Sequence, residues 1–372
     1  MHQGEQPGPA PREAGPHRGF RYRSAFWGVV LVALGVLLLL YNFDVVSRQN
    51  LAMLGLLWPI LLVGIGVDLL VGRRSWGLGG LVGVVTVGLI IVLMFAAPGA
   101  GWVKSADVKT ETLSTPVGAA TSARVTLYSS SYGVNVHALP ASVAVDRPLL
   151  KAHVTYQGTM DFQSSGDQVK TVTIQGREHR WWWGWFDLVD VEPWDVGLDP
   201  AVPLDLKFRC SSGSSDLDLS GLLLTAVEVD MSSGDTQVKL PALDGQRYPA
   251  RLHLSSGDLG LHVAAGAQID LAVDMSSGDA EVALGGECDA TVTFEGSSGA
   301  FTLDLAAGQA VRVEVRRVSS GDVDLPSGLI QVAGGDDDEG AWETEDYGAA
   351  AHKVHVIIER VSSGDVEIRV GG

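Results

Sequence analysis

The sequence predicts two regions of different class. An N-terminal membrane α-helical region is followed by an all-β domain, a parallel β-solenoid (β-helix) with about 21–22 residues per coil. Three observations predict this. Three apolar runs of about twenty residues lie within the first 100 positions. The tripeptide Ser-Ser-Gly recurs seven times at near-constant spacing from residue 211 onward. Short segments that alternate β-branched and polar residues flank these copies.

Charge divides the chain at the same place. Residues 1–100 hold seven Arg, no Lys and four acids, a charge of +3, so the net −18 of the whole leaves −21 for everything beyond residue 100. An acidic domain of this kind argues against nucleic-acid binding, which needs cationic charge against phosphate. Two cysteines in 372 residues make no disulfide scaffold.

Residues 1–24, rich in Gly, Pro and Arg, read as a disordered cytosolic tail. Residues 25–100 read as three transmembrane helices, at about 25–43, 51–71 and 77–98. Nothing here resembles a cleavable signal peptide, because the first apolar run leads directly to a second. Arg12, Arg18, Arg21 and Arg23 precede the first run, and Arg73 and Arg74 separate the second from the third. Positive charge stays in the cytosol, so everything after about residue 100 is expected outside the cytoplasm. Asp68, the one acid within these runs, is expected to snorkel to the interface near Arg73.

This region resembles the transmembrane region shared by the LiaI and LiaF envelope-stress proteins of bacteria. The residues that carry the resemblance are Trp27-Gly28, Leu34-Gly35 and Leu57-Trp58-Pro59, across about 25–72. The resemblance implies a regulator of two-component histidine kinases that respond to cell-wall damage. The implied partners are the lipid bilayer and a membrane protein such as a histidine kinase.

Residues 101–204 read as a linker and irregular first coils with a Trp-rich insertion, and 205–372 as the regular solenoid. The glycines of the repeat are Gly213, Gly234, Gly257, Gly278, Gly299, Gly321 and Gly364, spaced 21, 23, 21, 21, 22 and 43. The last gap equals two periods, as if one repeat had lost its signature. Weaker copies stand at 164–167 and 129–133. The residue before each Ser-Ser-Gly (Cys210, Met231, Leu254, Met275, Gly296, Val318, Val361) is mostly apolar and is expected to stack in the core. Cys288 falls at another phase, more than three coils from Cys210, too far for a disulfide.

Asp235, Asp258, Asp279, Asp322 and Asp365 follow their glycines. Glycine supplies backbone shapes that other residues resist, and Ser and Asp hydrogen-bond local backbone at turns. A structural ladder of turns explains the motif; a Ca²⁺ ladder is the alternative, although the known calcium solenoids use a nine-residue repeat. These repeats resemble the adhesin-type family of bacterial β-helix domains, with Ser-Ser-Gly-Asp turns between valine-rich strands. That resemblance implies a parallel β-helix and no enzyme activity.

Two stretches break the repeat. One holds Trp181, Trp182, Trp183, Trp185, Phe186 and Trp194. Three readings fit it: a cap on the open end of the solenoid, a plug in the membrane interface, or a patch for a partner or glycan. The other is the acidic insertion 336–346, read as a solvated loop. No serine is singled out beside a base, no Cys/His cluster has metal spacing and no phosphate loop occurs, so neither enzyme activity nor a cofactor is expected. The expected function is a non-enzymatic, LiaF-like envelope-stress sensor or regulator; the alternative is a membrane-anchored adhesin-like or structural module.

Overall fold

A computed structural model describes residues 25–43, 46, 48–72, 76–99, 108–142, 146–177, 192–334 and 339–371. They fall into two compact units, one helical and one of β-structure. The expected tail, Arg73, Arg74, Trp181, Trp182, Trp183, Trp185, Phe186 and residues 336–338 lie outside the described residues.

The helical unit has α1 (Phe26–Asn42), α2 (Arg48–Val67) and α3 (Trp76–Gly99), with a π-helical segment, Asp68–Gly72, after α2. Within α3, Gly77–Ala96 is the one stretch among the described residues long and apolar enough to cross a membrane; Phe26–Asn42 and Leu57–Leu70 are shorter apolar helices. The difference from the sequence reading is one of length. At about 1.5 Å per residue, the 17 residues of α1 reach about 26 Å, short of a ~30 Å hydrocarbon core. Small residues let the helices approach closely. A Cβ on Gly64 would fall 2.6 Å from Thr86 Oγ1, and one on Gly83 would crowd the Phe26 backbone at 3.3 Å. Asp68 does not snorkel. It is fully buried, at the point where the helix widens to π geometry and side chains change face.

Among the described residues the β unit has one sheet of eleven strands and one of twelve. From Leu204 to Leu305 successive strands alternate between the sheets; Leu204–Cys210 pairs in parallel with Ser122–Ser129 and Ser215–Asp218 with Val134–Ala138, and from Leu224 on each strand pairs in parallel with the one two places before it. Period-2 patterning explains this. In Leu224–Met231, Val227, Val229 and Met231 are buried while Glu228 and Asp230 face outward. Met231 lies between Cys210 and Leu254, Leu254 beside Met275, and Met275 beside Gly296, so each residue stacks on its counterpart one repeat away. The inward rows of both sheets meet in one core that runs from Val117 to Ile368.

The first part of the unit departs from this scheme. Val108–Pro116 pairs antiparallel with Pro148–Gln157, which pairs antiparallel with Trp194–Leu198. The Ser-Ser-Gly-Asp at 164–167 joins two antiparallel strands, Thr159–Ser165 and Val169–Arg177. It is therefore a hairpin turn and not a copy of the repeat. The weaker copy at 129–133 does belong, since Ser129 pairs with Cys210.

The last repeats are out of sequence order. Lys353–Val361 lies between Asp289–Gly296 and Ala310–Val315, and Asp365–Val370 lies between Ala300–Leu305 and Val323–Asp324. The gap of 43 thus marks an excursion, and no repeat has lost its signature. The cause is strand length. Val323–Asp324 has two residues before Leu325-Pro326 ends it, so it suits an edge. The six-residue strand Asp365–Val370 pairs along all of Ala300–Leu305. The acidic insertion is also more than a loop. Its residues Gly340–Glu343 form a strand antiparallel to both Ala310–Val315 and Ile330–Ala333, with Ala341 buried.

Candidate functional site: the stacked Ser-Ser-Gly corner

The Ser-Ser-Gly turns sit where the chain passes from the twelve-stranded sheet to the other. Strand pairing stacks them, and the backbone of each turn bonds the next. Ser232 N donates to Cys210 O, Ser255 N to Met231 O, Ser276 N to Leu254 O and Ser297 N to Met275 O. In five of the seven turns the second serine adds a side-chain bond to the turn stacked before it. Ser233 Oγ donates to Ser211 O, Ser256 Oγ to Ser232 O, Ser277 Oγ to Ser255 O and Ser298 Oγ to Ser276 O, at 2.9–3.1 Å. Ser363 Oγ donates to Ser297 O at 3.1 Å, which carries the ladder into the displaced C-terminal repeat.

Glycine is needed for close approach. A Cβ at Gly234, Gly257, Gly278, Gly299, Gly364 or Gly321 would come within 3.0 Å of the carbonyl oxygen of the neighbouring ladder glycine. Gly213, Gly234, Gly257, Gly278 and Gly299 also have φ between +94° and +107°, which L side chains resist. Gly321 and Gly364 do not share that conformation, so there the demand is steric alone.

Asp235, Asp258, Asp279, Asp322 and Asp365 are exposed at this corner. Two of the carboxylates bond the backbone of the following turn: Asp258 Oδ1 accepts from Asp279 N at 3.2 Å, and Asp279 Oδ1 from Ala300 N at 2.9 Å. The partners of these two carboxylates are backbone amides, the bonding expected of a turn-capping Asp. Among the described residues no three His, Cys, Asp or Glu side chains gather as metal ligands.

The outward faces carry matched charges in rows. Arg209 Nε meets Asp230 Oδ2 at 2.6 Å, and Lys207 Nζ meets Glu228 Oε2 at 2.5 Å. Lys207 and then Arg209 hold the Glu228 carboxyl below its usual range. Exposed pairs of this kind fix register more than they stabilise. Cys210 and Cys288 are free and buried, and burial pushes both thiols up, away from reactivity.

Of the aromatic group singled out in the sequence, Trp194 is the described member. It is fully buried on the strand Trp194–Leu198, its ring 6.1 Å from that of Tyr132. Its Nε1 donates to Thr155 O at 3.0 Å. It is a core residue and presents no surface to a partner. Sequence reasoning missed the pair Tyr156–Glu111, in which the phenol donates to Glu111 Oε1 at 2.6 Å. That bond crosses between antiparallel strands whose pairing no repeat announces.

Comparison with known families agrees with this division. Residues 25–70 match the LiaI-LiaF-like transmembrane region, residues 105–262 the N-terminal domain of toast_rack, DUF2154, and residues 195–369 Toastrack DUF4097. No curated protein matches the chain. A solved structure described as a "putative cell adhesion protein" from Clostridium sporogenes ATCC 15579 is 16% identical, covering 71% of this chain and 100% of its own, with a TM-score of 0.38. The chain joins a LiaI-LiaF-like transmembrane region to toast-rack domains.

Proposed function

We propose that this is a non-enzymatic, multi-pass protein of the bacterial cytoplasmic membrane, a LiaF-like regulator of the envelope-stress response. The observation that carries the reading is the order of parts: a LiaI-LiaF-like region at 25–70 followed by toast-rack domains from 105 to 369. Three spans are drawn from α1, whose shortfall in length a locally thinned bilayer accommodates, from α2 with its π-helical extension, and from α3. The arginines at 12–23 and 73–74 put the N-terminus in the cytosol and the β unit outside. The two sheets are the walls of one β-solenoid whose coil is one Ser-Ser-Gly period, a reading supported by strands that stack one repeat apart. The helices contact a partner membrane protein, a histidine kinase by family resemblance. The run Trp181, Trp182, Trp183, Trp185 and Phe186 is the contact patch beside the membrane, because Trp rings favour that zone.

The test is crosslinking pull-down of the full chain from native membranes, beside a chain that ends at residue 100. A histidine kinase captured by both places regulation in the helices. Envelope material held by the β unit, with no membrane protein captured by either, overturns regulation and makes the protein an anchored adhesin-like module.

A further inference from the structure

The C-terminal repeat occupies a slot between two repeats that precede it in sequence. Ile358 pairs with Phe294 on one side and Val315 on the other; Val356 likewise lies between Val292 and Val313, and Val354 between Ala290 and Val311. Charges hold it on both sides. Arg360 pairs with Glu295 on the earlier repeat, and Glu359 with Arg316 Nη1 at 2.6 Å on the later one.

The two repeats that flank this slot also fit each other. Gly299 and Gly321 are separated by one repeat period, as are the directly stacked glycines from 213 to 299. Direct stacking in that register would set Ala290 beside Val311, Val292 beside Val313 and Phe294 beside Val315. All six are buried, inward-facing residues, so core would meet core. The extra residue opposite Phe294-Glu295 is Glu359 on the insert, and Val315–Val318 runs in step with Ile358–Val361; in the closed arrangement Arg316 would take the place of that extra residue and Glu295 would face Arg317, an opposite charge.

We propose that the repeat Lys353–Val370 is a removable insert, and that on its withdrawal the repeat 310–324 closes directly onto 289–305. The inserted arrangement is the ground state because it makes two interfaces where the closed one makes one. The closed state is the minor partner in a two-state element, and a ligand that prefers the freed strands would shift the balance towards it.

Disulfide trapping in the full chain tests this. Thr293 and Glu314 stand two strand steps apart across Ile357. Two steps are about 9.6 Å, beyond the ~7 Å that a disulfide spans, whereas in the closed arrangement they are neighbours. The variants are Thr293→Cys/Glu314→Cys as reporter and Thr293→Cys/Ile357→Cys for the inserted state. The control, Arg251→Cys/Thr293→Cys, also lies two steps apart, across Ala272, where no insert exists. Mild oxidation followed by peptide mass spectrometry reads the bonds. The expected result is a rapid 293–357 bond, a slower 293–314 bond and a 251–293 bond slower still. Ending the chain at Ala351 should make the 293–314 bond fast. The proposal is overturned if 293–314 forms no faster than 251–293, since general opening then explains both. It is also overturned if 293–314 stays reduced in the full chain. Both of these outcomes are read in the full chain and stand even if the shortened chain does not fold.

Discussion

The ring of Phe294 fills the core position that Gly296 leaves empty. Gly296 stands in the row of residues that precede Ser-Ser-Gly, between Met275 and Val361. A Cβ there would meet Phe294 Cζ at 2.5 Å, and the same ring stacks on Phe301 at 4.1 Å. Gly296→Val should therefore destabilise the β unit by about 1–3 kcal/mol, the range for overpacking a filled core. Phe294→Leu alone should cost about 1–2 kcal/mol, for the buried apolar area removed and the lost stacking on Phe301. Combined, they should cost less than the sum, because the smaller side chain vacates the space that Val needs. Urea denaturation of the three variants checks it; a strictly additive pair would show that the ring and the glycine are unrelated.

The ladder separates conformational strain from steric clash. Gly278→Ala meets both, with φ +96° and the Gly257 carbonyl in the way. Gly364→Ala meets the Gly299 carbonyl without the unusual φ. Both should destabilise, and Gly278→Ala more, by roughly 1 kcal/mol for the left-handed backbone. Asp279→Asn keeps an acceptor for Ala300 N, and Asp279→Ala does not. The Asn variant should lie within a few tenths of a kcal/mol of the parent and the Ala variant about 0.5–1.5 kcal/mol below it. Thermal melts rank the four, and equal costs for the two glycines would remove φ from the account.

Tyr156 makes stability depend on alkaline pH. Its hydrogen bond to Glu111, then burial, then the negative charge of Glu111 push its pKa up to about 12, against an ordinary 10.0. The folded state thus holds the phenolic proton more tightly than the unfolded chain does. This contribution is fully present below pH 10 and is lost as pH rises through about 12. Tyr156→Phe should flatten the stability profile in that window and leave its slope near neutrality unchanged. Denaturant midpoints between pH 9 and 12 test it, and an unchanged alkaline slope in the variant refutes the coupling.

What could be read from the sequence was whatever repeats. Alternation in segments such as Val227–Met231 reports which side chains face the core, and the period of Gly213 to Gly299 reports which strands stack. Neither carries the order of repeats once the chain leaves the series. Gly321 and Gly364 carry the same signature, and spacing alone could not reveal that the later one stacks first. That order depends on strand length, two residues at Val323–Asp324 against six at Asp365–Val370. The copy at 164–167 misled for a related reason. Ser-Ser-Gly-Asp suits any tight turn, and there it closes a hairpin. Of the candidate patch, composition could not separate Trp194 from its neighbours, because a tryptophan that caps a core and one that binds a partner look alike in sequence.

Trp194 explains why Gly176 is small. A Cβ on Gly176 would fall 2.8 Å from Trp194 Cζ2, so the ring lies directly against the strand Val169–Arg177. The indole also supplies the Thr155 carbonyl with a donor inside the core. Trp194→Phe removes that donor and part of the ring, and should cost about 1–3 kcal/mol, mostly for the unsatisfied carbonyl. Gly176→Ala should cost about 1–3 kcal/mol by overpacking. In the double variant the shorter Phe ring no longer reaches the added methyl, so the overpacking cost should largely disappear. A double-mutant cycle by chemical denaturation measures this, with a coupling near the full single-variant cost of Gly176→Ala expected. Zero coupling would mean that Gly176 is held small by something other than the ring. Trp194 would then be a packed residue that places no demand on the neighbouring strand.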